Sequence, residues 1–213
     1  MKSLPAINHD LLRRLLADGL DDMSLEISAD RQQQLLSYLG LLHKWNRSYN
    51  LTAVRDPEQM VSRHLLDSLS LSPLLKGPRI LDVGSGAGLP GLILAITHPN
   101  LQWVLLDSAL KRTRFLIQAV HELGLGNVQV ERARIENFKS EREFNCMVSR
   151  ASLGLDALIE VAGRVLKRNG LMLAMQGKSP EDSSTYAQRG VEFKPLRVSG
   201  IDAQRHVAIY HQS

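Results

Sequence analysis

A chain of 213 residues has room for one α/β domain and a modest additional element, and its 44% hydrophobic content allows a sizeable core. The formal net charge of +4 and the pI of about 9.4 favour acidic partners such as nucleic acid without identifying one. A single cysteine, Cys146, excludes an intrachain disulfide. Apolar runs all fall short of the ~18 residues of a membrane span, and the polar N-terminal stretch is unlike a signal peptide. We therefore expect a soluble, cytoplasmic protein that is not associated with a membrane.

The first third of the chain is predicted to be helical. Asn8 is placed to cap a first helix that ends at Gly19, and Ser28 to cap a second, longer helix with leucines at helical spacing. Asp56 followed by Pro57 predicts the start of a third helix. We predict that residues 1–76 form an N-terminal helical extension, packed on a core formed by residues 77–213.

From Pro78 onward, short apolar runs alternate with amphipathic helices, which is typical of right-handed βαβ units and a parallel sheet. The predicted strands of this part are Arg79–Val83, Gln102–Leu106, Val128–Glu131, Cys146–Ser149 and Leu171–Met175. The helices between them are predicted at Leu89–Thr97, Ala109–Leu123 and Leu155–Leu166.

Two final strands, Val191–Val198 and His206–His211, are separated only by a short loop, so they form a hairpin and one of them runs antiparallel. The sequence therefore predicts an α/β fold with a mostly parallel sheet and one antiparallel strand. Ligands of such sheets bind beyond the carboxyl ends of the strands.

The stretch ILDVGSGAGLPG, Ile80–Gly91, places four glycines within eight residues directly after the first predicted strand. A P-loop is excluded, because it needs Lys and then Ser or Thr after its last glycine, and Leu92 follows Gly91. A dinucleotide loop, G-x-G-x-x-G, matches from Gly86 to Gly91. The first glycine after the strand is Gly84, however, and counted from there the spacing is G-x-G-x-G.

Two acids favour a different ligand. Asp82 lies just before Gly84, where a carboxylate disfavours a pyrophosphate and favours a cation. Asp107 ends the second strand, where it can accept hydrogen bonds from both ribose hydroxyls, as acids in NAD enzymes also do. S-adenosylmethionine carries a sulfonium, an amino-acid end and an adenosine but no phosphate. We therefore favour it over NAD as the ligand of a pocket formed by Asp82, Gly84, Ser85, Gly86, Leu89 and Asp107.

Several segments together resemble one known family. They are NLTAV (Asn50–Val54), RHLLDSL (Arg63–Leu69), LDVGSGAGLPG (Leu81–Gly91), LDSALKRTRFL (Leu106–Leu116), SRA (Ser149–Ala151) and RHVAIY (Arg205–Tyr210). This set resembles the bacterial small-subunit ribosomal RNA guanine-N7 methyltransferases, the GidB or RsmG family. The resemblance implies a class I S-adenosylmethionine-dependent methyltransferase fold, which is Rossmann-like, with an N-terminal helical extension before the methyltransferase domain.

The resemblance also implies an activity and a site. The activity is methyl transfer from S-adenosylmethionine to N7 of one specific guanine of 16S rRNA, with the free rRNA or the small ribosomal subunit as partner. The implied donor site consists of Gly84, Leu89, Ile135, Glu136 and Arg150, with Asp107 in the ribose role. One local departure from the family pattern is the stretch Arg134-Ile135-Glu136-Asn137, within which many members place two acids in succession.

The residues themselves suggest further roles. Arg150, at the end of the fourth strand, is a candidate to bind the guanine O6, the donor carboxylate or a phosphate; the alternative is a salt bridge to a local acid. His64 and Asp67 are candidate positioning residues rather than general bases. Asp67, one helical turn from His64, is a candidate to orient it or to close the donor pocket, and a purely structural role for each residue stays open. Cys146 lies inside the fourth strand and is interpreted as a buried apolar residue, not as the nucleophile of pyrimidine C5 methylation.

Basic residues late in the chain are candidates for the RNA backbone, the alternative being an ordinary solvated face. They are Lys111, Arg112, Arg205 and His206. Trp45 is interpreted as core rather than as a base-stacking surface. We expect a monomer without a metal ion. Two other classes stay open, namely a methyltransferase for a small molecule or a protein, and a nucleotide-binding module without chemistry.

Overall fold

Leucines at helical spacing fold the beginning of the chain into helices. The structure, a computed structural model, describes residues 8–140, 143–150, 153–177 and 183–212; Ala151, at the end of one family-like segment, lies outside them. Helix α1 (His9–Asp22) begins after Asn8, whose side chain accepts a hydrogen bond from the Leu11 amide at 3.1 Å. The predicted end at Gly19 is wrong. Gly19 lies inside the helix against Leu66, where a side chain would collide, and α1 continues for three more residues.

Helix α2 (Ala29–Tyr49) begins after Ser28, as predicted. The Ser28 side chain, however, makes no capping hydrogen bond. The third predicted helix begins as expected, with Asp56 accepting from the Glu58 amide at 3.0 Å. It is divided, however, into α3 (Pro57–Met60), a π-helical turn (Val61–Leu66) and α4 (Asp67–Leu69). No helix of the described residues is long and apolar enough to cross a membrane.

The second part of the chain forms a seven-stranded sheet in the order β3-β2-β1-β4-β5-β7-β6, and β7 is antiparallel to both of its neighbours. The strands are β1 (Arg79–Val83), β2 (Gln102–Leu106), β3 (Val128–Glu131), β4 (Phe144–Arg150), β5 (Leu166–Gln176), β6 (Val191–Pro195) and β7 (His206–His211). The helices of this part are α5 (Gly91–Thr97), α6 (Leu110–Glu122), α7 (Leu155–Val165) and α8 (Ser183–Gln188).

The predicted elements are confirmed with shifted ends. Strands β4 and β5 are longer than expected, and β6 stops at Pro195 instead of Val198. Helix α5 starts at Gly91 rather than Leu89, because the chain is still turning through the glycine loop. Helix α8 is an additional element.

Helices cover both faces of the sheet. On one face, the leucines of α1 and α2 share a single apolar core with α5 and α6, and α7 closes the other face. The N-terminal helices therefore pack against the sheet domain directly, while the division of the chain at residue 76 stays a prediction.

Candidate active site

The glycine loop turns sharply between β1 and α5. The amides of Gly84 and Ser85 both donate to the Leu106 carbonyl at the end of β2, at 2.9 and 3.0 Å. At Gly88, φ is +91° and an added Cβ would lie 2.7 Å from the Leu92 Cβ. At Gly91, an added Cβ would lie 2.5 Å from the Asp82 Oδ2. Residues with side chains therefore cannot occupy these two positions without moving the loop.

Asp82 lies beneath this loop. Its side chain is fully buried, and Oδ2 accepts the Gly91 amide at 3.0 Å, while Oδ1 has no partner among the described residues. Burial raises the pKa of this carboxyl to about 7. The expectation that Asp82 lies beside the ligand needs correction, because the carboxyl holds the start of α5 from below.

Asp107 ties the loop to α6. Its Oδ2 accepts the Gly86 amide at 2.9 Å, and its Oδ1 accepts the Ala109 amide at 2.8 Å. The Arg112 guanidinium lies 3.3 Å from Oδ2. Oδ2 therefore already accepts from two donors, whereas Oδ1 accepts from one and keeps a lone pair for a ligand hydroxyl.

Two cavities adjoin at the carboxyl ends of the strands. The first, of about 190 Å³, has Gly84, Asp107, Ile135 and Glu136 in its wall, together with the apolar side chains of Val83, Leu106, Ala133 and Leu153. The second, of about 170 Å³, is bordered by the glycine loop from Gly84 to Ala87, by Leu89 and Arg150, and by Leu51 and Thr52 after α2. Gly84 and Arg112 line both.

A charged cluster borders the second cavity. The Asp67 carboxylate, only 6% exposed, pairs with the Arg150 guanidinium at 3.4 Å and with the Arg205 Nε at 3.1 Å. Arg150 also donates to the Arg63 carbonyl at 3.2 Å. Burial raises the pKa of Asp67, although both guanidinium groups act against that rise. The salt bridge to a local acid, the alternative interpretation of Arg150, is thus present, and the same side chain still lines the cavity.

His64 is buried and hydrogen-bonded at both ring nitrogens. Nδ1 lies 2.9 Å from the Arg63 carbonyl, which can only accept, so Nδ1 carries the hydrogen and Nε2 accepts from the Thr52 hydroxyl at 2.9 Å. Burial, and next the charge of Arg150, lower the pKa of His64 to about 4. Thr52 and Arg63 orient His64, rather than Asp67 as the sequence suggested.

The family of the chain follows from direct comparison. A family model described as rRNA small subunit methyltransferase G, GidB, matches residues 31–208. The chain is 50% identical over 190 residues to the ribosomal RNA small subunit methyltransferase G of Chromohalobacter salexigens, covering 88% of this chain and 91% of that protein. It is 47% identical over 197 residues to the enzyme of the same name from Marinobacter nauticus, covering 91% and 92%.

The chain belongs to the GidB family.

Solved structures agree on the fold. A SAM-dependent methyltransferase from Aquifex aeolicus superposes with a TM-score of 0.56 at 18% identity, covering 77% of this chain and 97% of that one. The [4+2]-cyclase SpnF superposes with a TM-score of 0.58 at 16% identity, covering 87% and 97%. The fold is the class I, Rossmann-like methyltransferase fold. A cyclase among the neighbours illustrates why function has to be argued from the site.

The residues that the GidB resemblance implied divide between the two cavities. Gly84, Asp107, Ile135 and Glu136 meet at the first, while Leu89 and Arg150 meet with Gly84 at the second. Of the additional members of the pocket predicted from the acid and glycine spacing, Ser85 and Gly86 line the second cavity. Sequence reasoning missed Leu51 and Thr52, for which the only signal was their place in the family-like NLTAV segment.

The candidate RNA contacts differ in their exposure and in their partners. Lys111 is exposed, whereas Arg112 is turned toward Asp107 and the cavities. Arg205 is bound to Asp67, and His206 is half-buried with its Nδ1 enclosed. Arg205 is thus engaged in an ion pair, and its contact with a phosphate stays a prediction.

Cys146 is fully buried in β4, as predicted, and burial raises the pKa of its thiol. Within the described parts of the chain, no group of three or more His, Cys, Asp or Glu side chains is placed to hold a metal ion.

Proposed function

We propose that this protein transfers a methyl group from S-adenosylmethionine to N7 of one specific guanine of 16S rRNA. The observation that carries the proposal is the pair of adjoining cavities at the carboxyl ends of the strands, in a chain of the GidB family. The first cavity suits the nucleoside part of the methyl donor, and the second, beside it, has polar residues in its wall and suits the acceptor.

S-adenosylmethionine is the methyl donor, and its adenosine fits the first cavity. Asp107 accepts one ribose hydroxyl with the remaining lone pair of Oδ1, and the second once the exposed Arg112 side chain turns away from Oδ2. The apolar wall around Ile135 takes the adenine ring. The amino-acid end then points along the glycine loop toward Arg150 in the second cavity. Lying beneath the loop, Asp82 supports this donor site without touching the ligand.

The reaction needs no general base. Guanine N7 attacks the methyl carbon through a lone pair, the carbon–sulfur bond breaks, and its electrons remain on sulfur as a neutral thioether. The positive charge passes to the guanine ring and no proton leaves N7. The protein contributes by aligning N7, carbon and sulfur, a task we assign to Arg150 on the acceptor and to the glycine loop on the donor.

The environment of His64 agrees with such a mechanism. With a pKa near 4 and both ring nitrogens engaged, His64 is neutral near pH 7 and has no free nitrogen directed at a substrate. Single-turnover methylation should therefore be nearly flat between about pH 6 and pH 9. A rate that rises about tenfold per pH unit, and loses that rise in His64→Ala, would indicate a required base and a target other than N7.

The decisive experiment is incubation with labelled S-adenosylmethionine and undermethylated 16S rRNA, either free or within small subunits, followed by mapping of the label. We expect one labelled guanine, methylated at N7, and strongly reduced transfer by Arg150→Ala. Arg189→Ala, which removes an exposed arginine paired with Asp156, is the matched control and should transfer at the wild-type rate. Label on a protein or a small molecule instead of rRNA would refute the proposal.

Calorimetry separates the two candidate ligands. S-adenosylmethionine should bind and NAD should not; the reverse result would mean that the cavities serve a dinucleotide. The monomeric state stays a prediction, to be checked by light scattering of the free protein.

A further inference from the structure

Two segments beside the second cavity are basic and contain no acid. Leu42–Arg55 and Ser108–His121 each carry three Lys or Arg residues and one His, and neither contains Asp or Glu. The exposed members are Lys44, Arg47, Arg55, Lys111, Arg112 and Arg114. Among the described residues, only Arg112 of these six has an ion-pair partner, Asp107. A surface of this composition attracts a polyanion.

Aromatic contacts hold the two segments side by side. Trp45 of α2 packs edge-on against Phe115 of α6, with 5.6 Å between ring centroids. Tyr49, one turn after Trp45, stacks on it with centroids 5.0 Å apart and an angle of 29° between the ring planes. Phe115 is fully buried, whereas Tyr49 is 42% exposed. The row of rings thus runs from the core to the surface and ends in an accessible tyrosine.

This aromatic end is close in the chain to residues that line the candidate site. Leu51 and Thr52, which line the second cavity, follow Tyr49 by two and three residues, and Arg112 lines the same cavity from α6. Trp45 itself is half-buried between its two aromatic neighbours, so the exposed ring of the row is that of Tyr49.

Proteins bind single-stranded nucleic acid by combining a basic groove for the backbone with aromatic rings on which bases stack. We propose that Tyr49 stacks on a base adjacent to the target guanine, while Lys44, Arg47, Lys111 and Arg114 contact the phosphates of the same strand. The inference rests on the proposed function, because it assumes that the acceptor is RNA, and it assigns the role of RNA docking to α2 as well as to α6.

The test compares substitutions that keep or remove the ring. Tyr49→Ala and Tyr49→Leu should each raise the Kd for a fluorescein-labelled single-stranded RNA, and the KM for undermethylated 16S rRNA, by about fivefold or more. Tyr49→Phe should behave like the wild type, because stacking needs no hydroxyl. Leu15→Ala, at an exposed apolar position on α1, is the control and should change neither quantity.

Two further readouts separate stacking from other causes. The slope of binding against salt should be unchanged in Tyr49→Ala, which removes no charge, and should fall by about 1 in Lys44→Ala and in Arg47→Ala. The Kd for S-adenosylmethionine and the melting temperature should stay at wild-type values in Tyr49→Leu, which still covers Trp45.

Wild-type RNA affinity and KM in both Tyr49→Ala and Tyr49→Leu would overturn the inference, even if rRNA methylation is normal and the proposed function stands. Loss of donor binding together with RNA binding would also overturn it, since Tyr49 would then be structural. Failure of the proposed function is seen separately, as the absence of methyl transfer by the wild-type protein. RNA binding by the Tyr49 variants still decides the inference in that case.

Discussion

The two sides of the candidate site are held together by different forces. The donor side, which comprises the glycine loop Gly84–Gly91 with Asp82 and Asp107, rests on backbone amides bonded to two buried carboxyl groups. The acceptor side, which comprises Asp67, Arg150 and Arg205 with the nearby His64, rests on opposite charges. Backbone geometry is sensitive to side-chain volume, whereas a charge cluster is sensitive to the loss of any one charge. The two sides should therefore respond differently to substitution, pH and salt.

The largest effect is expected from Asp67→Ala. Removing the shared carboxylate leaves two guanidinium groups unpaired, and we expect the free energy of unfolding to fall by about 3 kcal/mol. The value lies at the low end for buried pairs because Arg150 and Arg205 are 25% and 26% exposed. Asp156→Ala, at an exposed pair with Arg189, is the control for urea denaturation and should show little change. Equal, small losses in both variants would mean that water screens the acceptor side as well.

Asp107→Ala tests the donor side. We expect S-adenosylmethionine to bind more weakly by about 1.5–3 kcal/mol, since charge-assisted hydrogen bonds to the ribose and the anchor of the Gly86 amide are both lost. Calorimetry with Asp82→Asn is the comparison, and its effect should be smaller because Asp82 does not line the cavities. A Kd unchanged by Asp107→Ala would place the ribose elsewhere.

The donor side could be predicted from the sequence because its parts are close in the chain. Asp82 and Gly91 are nine residues apart, and Gly86 and Asp107 are 21 residues apart. Two adjacent parallel strands and the glycine loop between them are therefore enough to bring each pair into contact. The mostly parallel sheet was predicted from the alternation of apolar runs and helices, whereas the order of its strands was not. What the sequence did not indicate is that the Asp82 side chain is fully buried and accepts the Gly91 amide.

The acceptor side could not be predicted in the same way. Asp67 meets Arg150 across 83 residues and Arg205 across 138, so the pairs exist only once the N-terminal helices are docked on the sheet. Sequence reasoning proposed that Asp67 orients His64, because one helical turn separates them. In the structure, the carboxylate that follows the π-helical turn pairs with two distant arginines instead. Neither the π-helical turn nor these pairs can be predicted from the periodicity of the sequence.

Asp82 on the donor side and His64 on the acceptor side should respond to pH with opposite signs, and Asp67, whose pKa burial also raises, has the same sign as Asp82. Asp82 has a folded pKa of about 7 against an ordinary 3.8, so between these values the folded state binds the extra proton and stability falls as pH rises. His64 has a folded pKa of about 4 against 6.5, so there the unfolded state binds the extra proton and stability rises with pH. The two contributions oppose each other between about pH 4 and pH 6.5.

Single variants should expose each contribution. The quantity that changes is the slope of the free energy of unfolding against pH. Relative to the wild type, Asp82→Asn should raise this slope and His64→Gln should lower it, each by about 1 kcal/mol per pH unit. Denaturation across about pH 4 to 7 measures both. Parallel pH curves for the wild type and the two variants would show that neither group titrates as its burial indicates.

The smallest effect concerns salt. Lys111→Ala should lower the slope of RNA binding against salt by about 1, because an exposed lysine is free to meet a phosphate. Arg205→Ala, which removes the same charge, should leave the slope unchanged since its guanidinium is bound to Asp67. Equal reductions in both variants would mean that Arg205 leaves its ion pair when RNA binds.

The π-helical turn Val61–Leu66 makes the length of this segment as important as its side chains. Deleting one of its residues would rotate everything beyond it by about 100° around the helix axis and carry the Asp67 carboxylate away from both arginines. At Arg63 the structure uses the backbone oxygen, which accepts from both His64 and Arg150. Most residues supply that oxygen equally well, so substitution of the Arg63 side chain should disturb these two hydrogen bonds less than gain or loss of a residue in the segment.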